Sequence, residues 1–230
     1  MSDEIRRISN RLATDHITGD DPTGWFEPLY AAAAERDAAP PWDRDRPRGL
    51  LEHWAEERHL DGDARRRSAI VVGCGLGADA EFIASKNYAT TAFDLSPTAI
   101  RLALERHPDT QVRYEVADPL ALPSTWRRGF DLVVECWTAQ ALPDPPRAQA
   151  IVAIADLVGP GGTLIAVAIG RPDDGPDDPS AGPPWPLSPA TIAQFAQDGV
   201  QPVQLDLVDD PEAPGQRLGW RAEFQRPGHG

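Results

Sequence analysis

The segment from Ala69 to Ala84, AIVVGCGLGADAEFIA, constrains the fold of this chain more than any other part of the sequence. An apolar run typical of a buried strand is followed at once by glycines at positions 73, 75 and 77, and then by a helical pattern. Glycine lets the backbone turn sharply and lets a ligand approach where a Cβ atom would collide. The pattern predicts a strand, a tight turn and a helix whose first backbone amides face a ligand.

The rest of the chain repeats this alternation of strands and helices. Strand-like segments cover 68–72, 88–94, 112–116, 130–136, 162–169, 200–208 and 217–224, and helical segments cover 49–59, 78–86, 97–107, 146–157 and 188–197. Strands that alternate with helices of this length predict right-handed βαβ units. We therefore expect an α/β fold with a Rossmann-like, seven-stranded, mostly parallel sheet, an antiparallel closing strand, helices on both faces and a helical N-terminal lead-in.

The length of 230 residues fits one domain. Residues 1–24 are polar and weakly periodic, so we expect a mobile N-terminus there. Residues 25–67 form the helical lead-in, and 68–226 form the main domain. A loop rich in proline, glycine and aspartate covers 171–186.

The composition bears on partners and location. The formal net charge of −14 is spread along the chain, which argues against a nucleic-acid or membrane partner. No apolar stretch approaches the roughly 20 residues that span a bilayer, and the N-terminus has no apolar signal core, so we expect a cytoplasmic protein. Cys74 and Cys136 lie in apolar runs and are expected to be reduced packing thiols. The five histidines lack metal-ligand spacing, so no metal is expected.

The ligand is expected to carry a ribose. Asp94 ends the second strand, 21 residues after Gly73, a spacing at which a carboxylate can accept both ribose hydroxyls. A dinucleotide and S-adenosylmethionine both meet this requirement, and Gly73, Gly75 and Ala78 also satisfy a G-x-G-x-x-A pattern. The surroundings favour S-adenosylmethionine, because a helical segment precedes the turn and no length remains for a second catalytic domain. Asp79 is interpreted as a charge at the start of its helix.

Five motifs in order resemble those of class I S-adenosylmethionine-dependent methyltransferases: VVGCGLG, AFDLSPTAI, YEVADPL, FDLVVECW and GPGGTLIAVA. The resemblance implies that Gly73, Gly75 and Gly77 lie under the methionine part of the cofactor. It implies that Asp94 holds the ribose. The remaining cofactor residues that it implies are Asp118 and Pro119 beside the adenine, Glu135 and Cys136 at the methionine end, and Cys74, Leu95 and Trp42. The sequence departs from the family at Val71, where an acidic residue is usual.

A narrower resemblance is to the thiopurine, thiol and halide methyltransferase group, through PWDRDRPRGLL, ALPDPPRAQAI and GPPWPLS. It implies that the N-terminal segment closes over the cofactor as a lid. It also implies that Trp185 lines the acceptor pocket. We expect this pocket to be formed by the aromatic side chains of Trp25, Tyr30, Trp42, Trp137 and Trp185. Thiopurine methyltransferases carry an arginine where this chain has Cys136, so an anionic thiopurine is not the expected acceptor.

Methyl transfer from a sulfonium needs alignment and exclusion of water more than a catalytic side chain, and we therefore predict no particular catalytic residue. No histidine lies at a motif position, which favours an acceptor that arrives ionised, such as a thiol, a thiopurine-like compound or a halide. The alternatives are N- or O-methylation of an aromatic or natural-product acceptor, a nicotinamide-dependent oxidoreductase, and a cofactor-binding regulator without catalysis.

Overall fold

The computed structural model describes residues 3–18, 21–60, 67–175, 178, 182–213 and 218–228. The helices are α1 (Asp3–Thr18), α2 (Phe26–Ala34), α3 (Gly49–Glu57), α4 (Ala78–Ser85), α5 (Pro97–Arg106), α6 (Pro146–Ala155) and α7 (Pro189–Ala193). The strands are β1 (Ser68–Val72), β2 (Ala89–Asp94), β3 (Arg113–Val116), β4 (Phe130–Cys136), β5 (Val158–Ile169), β6 (Gln201–Asp209) and β7 (Leu218–Gln225). Two short 3₁₀ helices cover Ser124–Trp126 and Ala139–Ala141.

The strands form one seven-stranded sheet in the order β3-β2-β1-β4-β5-β7-β6. The strands β1 to β5 pair in parallel, whereas β7 runs antiparallel to both of its neighbours. This confirms the predicted α/β fold with its Rossmann-like sheet. The strand order reverses between β1 and β4, the place where open α/β sheets bind ligands at their carboxyl edge.

Helices cover both faces of the sheet because alternate residues of each buried strand point to opposite sides. Ile70 and Val72 of β1 pack in a core shared with α6 and α7. Ala69 and Val71 pack on the other face, in a core shared with α3 and α4. Val71 is only 1% exposed, so the position that departs from the family pattern contributes to packing.

The N-terminal lead-in docks beside the carboxyl edge of the sheet. Glu27 of α2 ties it to the start of α5, because its carboxylate accepts hydrogen bonds from Ser96 Oγ and, at 3.1 and 2.7 Å, from Thr98 N and Thr98 Oγ1. The sequence analysis did not predict helix α1 within residues 1–24. Ile5 of α1 is fully buried against the α2 cluster, and the mobility of this segment stays a prediction.

Two predicted boundaries are wrong by about a helical turn, and most of the others shift by one or two residues. Strand β5 begins at Val158 instead of residue 162, because Val158 pairs with Phe130 ahead of an irregularity in the β4–β5 register. Helix α7 ends at Ala193 instead of residue 197, and Ser188 caps its N-terminus by accepting a hydrogen bond from Thr191 N at 3.1 Å. No helix among the described residues is long and apolar enough to cross a membrane.

Candidate active site

The glycine turn links the ends of the first two strands. Gly73, Gly75 and Gly77 all have positive φ angles, of 58°, 52° and 96°, which glycine adopts at little cost. The turn is held from β2, because Gly75 N donates to Asp94 Oδ2 at 2.9 Å and Cys74 N donates to Phe93 O at 2.9 Å. The backbone of the turn therefore sits directly beside the Asp94 carboxylate.

The space that each glycine leaves is used differently. A Cβ atom on Gly73 would lie 2.3 Å from Thr138 Oγ1, and one on Gly75 would lie 3.1 Å from the hydroxyl of Tyr30. A Cβ atom on Gly77 would lie 2.2 Å from the hydroxyl of Tyr114, a residue of β3. Gly77 thus permits close packing of α4 against β3.

A cavity of about 340 Å³ opens over this edge of the sheet. It brings together most of the residues that the sequence analysis assigned to the cofactor and the acceptor. They are Trp25, Tyr30, Trp42, Gly73, Cys74, Gly75, Asp94, Leu95, Pro119, Cys136 and Trp137.

Four predicted site residues do not line this cavity: Gly77, Asp118, Glu135 and Trp185. Asp118 Oδ1 accepts a hydrogen bond from Leu120 N at 2.8 Å and closes its own turn. Trp185 lines a second cavity, where the guanidinium of Arg147 lies 5.6 Å from its ring centroid. The predicted role of Trp185 in the acceptor pocket therefore has no support from its position.

Glu135 holds the turn that follows β4. Its Oε1 accepts hydrogen bonds from Thr138 N at 2.7 Å and Ala139 N at 3.0 Å, while Oε2 is buried without a partner among the described residues. Burial raises the pKa of Glu135 to about 7, against the lowering effect of those two amides. Glu135 thus holds in place the turn that carries Thr138, which lines the cavity, without lining the cavity itself.

Asp94 is buried at the cavity edge, with 7% of its surface exposed. Besides the bond from Gly75, its Oδ1 accepts a hydrogen bond from Ser96 N at 3.0 Å. Burial raises its pKa to about 6, although the backbone amides of Ser96 and Gly75 favour the charged form. A carboxylate has about four lone-pair positions, so Asp94 can still accept hydroxyl donors.

Aromatic side chains of the lead-in cover the cavity. The indole N–H of Trp42 donates to the hydroxyl of Tyr30 at 2.9 Å, and the rings of Trp25 and Trp42 meet edge to face with centroids 5.7 Å apart. Tyr30 also stands over Gly75. The lead-in thus forms one wall of the cavity, and its closure over the cofactor as a lid stays a prediction.

Arg48 and Asp79 also line the cavity, and the sequence analysis did not assign either of them to the site. Arg48 precedes α3, and its guanidinium carbon lies 3.7 Å from the ring centroid of Trp137. Asp79 lies in the first turn of α4 and accepts a hydrogen bond from Arg48 N at 2.8 Å. Arg48 and Asp79 are 31 positions apart, which hides their proximity in the sequence.

The described residues contain no cluster of three or more histidine, cysteine or acidic side chains that could hold a metal ion. Cys74 and Cys136 are free and buried, and burial raises the pKa of both thiols.

Comparison with known proteins places these features in a family. Residues 69–162 match a family model described as a methyltransferase domain. The chain is 24% identical over 226 residues to a probable thiol methyltransferase 2 of Arabidopsis thaliana, covering 94% of this chain and 90% of that protein. It is 32% identical over 149 residues to a ubiquinone biosynthesis O-methyltransferase of Xanthomonas campestris, covering 62% of this chain and 59% of that relative.

Solved structures share the fold. The N-methyltransferase NodS of Bradyrhizobium japonicum, in complex with S-adenosylhomocysteine, superposes with a TM-score of 0.64 at 20% identity, over 86% of this chain and 98% of that one. A structure of a protein that converts a disulfide bond into a thioacetal group during echinomycin biosynthesis gives a TM-score of 0.69 at 23% identity, over 90% and 94% of the two chains.

The sheet order, the glycine turn and the family match support a class I methyltransferase. The relatives and the solved structures agree with this class, whose methyl donor is S-adenosylmethionine. The resemblance stated from the motifs is thereby confirmed, and the nicotinamide alternative finds no support.

The packing of Gly77 predicts a loss of stability without a loss of ligand affinity. Gly77→Ala should lower the free energy of unfolding by about 3 kcal/mol, because the methyl group strains a positive φ and displaces Tyr114. Gly161→Ala is the matched control, since its φ is 77° but its Cβ would meet nothing closer than 4.0 Å, and it should cost about 1 kcal/mol. Urea denaturation and titration with S-adenosylhomocysteine measure the two effects. Weaker ligand binding with unchanged stability would place Gly77 in the site instead.

The buried Glu135 predicts a pH dependence of stability. Since its pKa is raised from 4.5 to about 7 in the folded protein, the folded state holds this proton more tightly than the unfolded state does. The stabilisation from the bound proton is therefore complete below pH 4.5 and lost as the pH rises through about 7. Relative to Glu135→Gln, the wild type should lose about 3 kcal/mol between pH 4 and pH 8. Urea denaturation of both proteins across this range measures the difference, and a difference that does not vary with pH would contradict the assignment.

Proposed function

We propose that this enzyme transfers the methyl group of S-adenosylmethionine to a small, soft nucleophile that arrives ionised, with the thiolate of a small thiol as the first choice. Thiopurine-like compounds and halides belong to the same chemical group. The proposal has two parts: how the chain holds the donor, and which acceptor the remaining space suits.

The residues at the carboxyl edge fit the donor. Asp94 would accept the ribose hydroxyls with the lone pairs that Gly75 and Ser96 leave available, and it is buried against the cavity as such a contact requires. Leu95 and Pro119 line the cavity on the same side and would border the adenine. Bound there, S-adenosylmethionine supplies an activated methyl group on a cationic sulfur, for which aromatic faces are suitable neighbours.

The observation that carries the acceptor proposal is that no histidine is among the described residues that line the cavity. Each carboxylate there already accepts at least one hydrogen bond or ion pair from the protein. Asp43 pairs with Arg106 at 2.8 Å, Asp94 accepts from two amides, and Asp79 accepts from Arg48 N. A neutral amine or phenol needs a proton acceptor in the transition state, whereas a thiolate or halide does not.

Two buried indole groups also support an anionic acceptor. Trp25 Nε1 and Trp137 Nε1 have no hydrogen-bond partner among the described residues, and both side chains line the cavity. A buried donor without an acceptor costs free energy, and an anion beside it would offset that cost. The similarity to a probable thiol methyltransferase along nearly the whole chain supports the same choice.

A second candidate is O-methylation of a small aromatic acceptor. The ubiquinone biosynthesis O-methyltransferase of Xanthomonas campestris, at 32% identity, favours it over the region that it covers. Such an acceptor would need to ionise outside the enzyme or find a base that the described cavity lining does not offer.

Matched acceptor pairs test the proposal. Initial rates should be measured with hydrosulfide and thiophenol against water-soluble phenol and aniline, which differ from thiophenol in the attacking atom. The thiols should be methylated, and kcat/KM should rise with pH according to the ionisation of the thiol itself, because no enzyme base takes part. Turnover of phenol or aniline together with none on any sulfur acceptor would overturn the proposal.

A variant pair adds a check on the pocket. Trp137→Phe removes one unpartnered indole N–H and should raise KM for hydrosulfide by about tenfold, the effect of losing one hydrogen bond to an anion. Trp126→Phe is the control, because Trp126 packs against Phe93 and Phe130 and does not line the cavity. Equal effects of the two substitutions on KM would contradict a contact between Trp137 and the acceptor.

A further inference from the structure

A buried arginine, Arg48, and a half-buried aspartate, Asp79, meet at one end of the cavity, and neither has a role in the proposed function. Arg48 is 7% exposed, and its guanidinium lies flat enough on Trp137 to place its carbon 3.7 Å from the ring centroid. Arg48 Nη2 donates to the carbonyl of Trp42 at 3.0 Å. A guanidinium has five N–H donors, so this contact leaves capacity for a carboxylate.

Asp79 faces the same end of the cavity. Its Oδ1 accepts a hydrogen bond from the backbone N of Arg48 at 2.8 Å, so the two residues touch through the backbone of one and the side chain of the other. Burial raises the pKa of Asp79 and lowers that of Arg48. Both charges are thus desolvated at a site where a ligand with the complementary charges would offset the cost.

The sheet topology orients the pair relative to Asp94. Strand β1 lies between β2, which ends at Asp94, and β4, which ends at Cys136. Asp79 interacts with the thiol of Cys136, and Arg48 stacks on the next residue, Trp137. The pair therefore lies on the β4 side of the glycine turn, while Asp94 lies on its β2 side. A ligand with its ribose at Asp94 directs its other end toward Arg48 and Asp79.

Of the other charged residues that line the cavity, Arg6 is exposed and Asp94 lies on the β2 side of the turn, and the remaining three pair with protein groups. Arg44 and Arg46 contact Glu212 at 2.6 and 3.3 Å, and Asp43 pairs with Arg106. Val71 and Val72 of β1 are buried in the two cores and offer no charge. Among the described lining residues, Arg48 and Asp79 are thus the oppositely charged neighbours on the β4 side of the turn.

We propose that Arg48 binds the α-carboxylate and Asp79 the α-ammonium of the methionyl group of S-adenosylmethionine. The zwitterion places one negative and one positive group on the same carbon, which matches a guanidinium and a carboxylate that are neighbours in the cavity wall. The inference rests on S-adenosylmethionine being the donor and is independent of the acceptor.

Ligands that lack one charged group test the pair directly. Affinities for wild type, Arg48→Met and Asp79→Asn should be measured by calorimetry with S-adenosylhomocysteine, with its decarboxylated analogue, and with 5′-methylthioadenosine, which lacks the amino-acid end. Arg48→Met should weaken S-adenosylhomocysteine by about tenfold to a hundredfold, the range for a hydrogen bond between charged groups. It should leave the affinities for the decarboxylated analogue and 5′-methylthioadenosine within twofold. Asp79→Asn should weaken the first two ligands, which keep the amine, and spare 5′-methylthioadenosine.

Arg101→Met is the control, because Arg101 pairs with Glu105 on α5, has a side chain that is 52% exposed and is not among the residues that line the cavity, so it should affect no ligand by more than twofold. Binding of 5′-methylthioadenosine reports that each variant is folded. The inference is overturned if Arg48→Met leaves the affinity for S-adenosylhomocysteine unchanged, or if it weakens all three ligands equally. If Arg48→Met raises only the KM for a thiolate, Arg48 binds the acceptor instead. A wild type that binds none of the three overturns the donor assignment as well, whereas failure to methylate thiols touches the proposed function alone.

Discussion

The hydrogen bond from Gly75 N to Asp94 Oδ2 joins the ends of the two strands on which the site depends. It fixes a turn with three positive-φ glycines against a carboxylate that is itself buried. Because the strand order reverses beside β1, the turn opens on a crevice and not on a neighbouring βα loop. A carboxylate held at 2.9 Å by a backbone amide cannot turn toward solvent without releasing the turn, so the orientation of Asp94 and the geometry of the turn are coupled in this protein.

The cavity has two distinct kinds of wall. The sheet side presents backbone and charge, from Asp94 at one end to Asp79 at the other, whereas the lead-in side presents the rings of Trp25, Tyr30 and Trp42. Glu27 anchors the lead-in at the start of α5, so the aromatic wall is positioned from the β2 side of the sheet. This arrangement suits methyl transfer from a sulfonium, because the rate of that reaction depends on the orientation of donor and acceptor and on the exclusion of water.

Sequence patterns predicted the parts of this architecture that local chemistry determines. The strand-turn-helix at 69–84, the order of strands and the position of Asp94 follow from periodicity and from the conformations that glycine allows, and the structure has them. Contacts between distant segments were not predictable in the same way. In the sequence, Gly77 cannot be distinguished from the other two glycines of the turn, and only the structure shows that it packs against Tyr114. Trp185 was grouped with the other aromatic residues by its type, but it lines a second cavity. Arg48 and Asp79 meet only because the residue before α3 lies beside the first turn of α4, which no spacing in the sequence encodes.

The most direct test of this account is a crystal structure of the protein with S-adenosylhomocysteine. We expect the ribose hydroxyls at Asp94, the adenine beside Leu95 and Pro119, and the homocysteine sulfur over the glycine turn with the amino-acid end on the β4 side. A structure in which the ligand lies elsewhere, while Asp94 keeps only the amides of Gly75 and Ser96 as partners, would contradict the central claim that this edge of the sheet is the donor site.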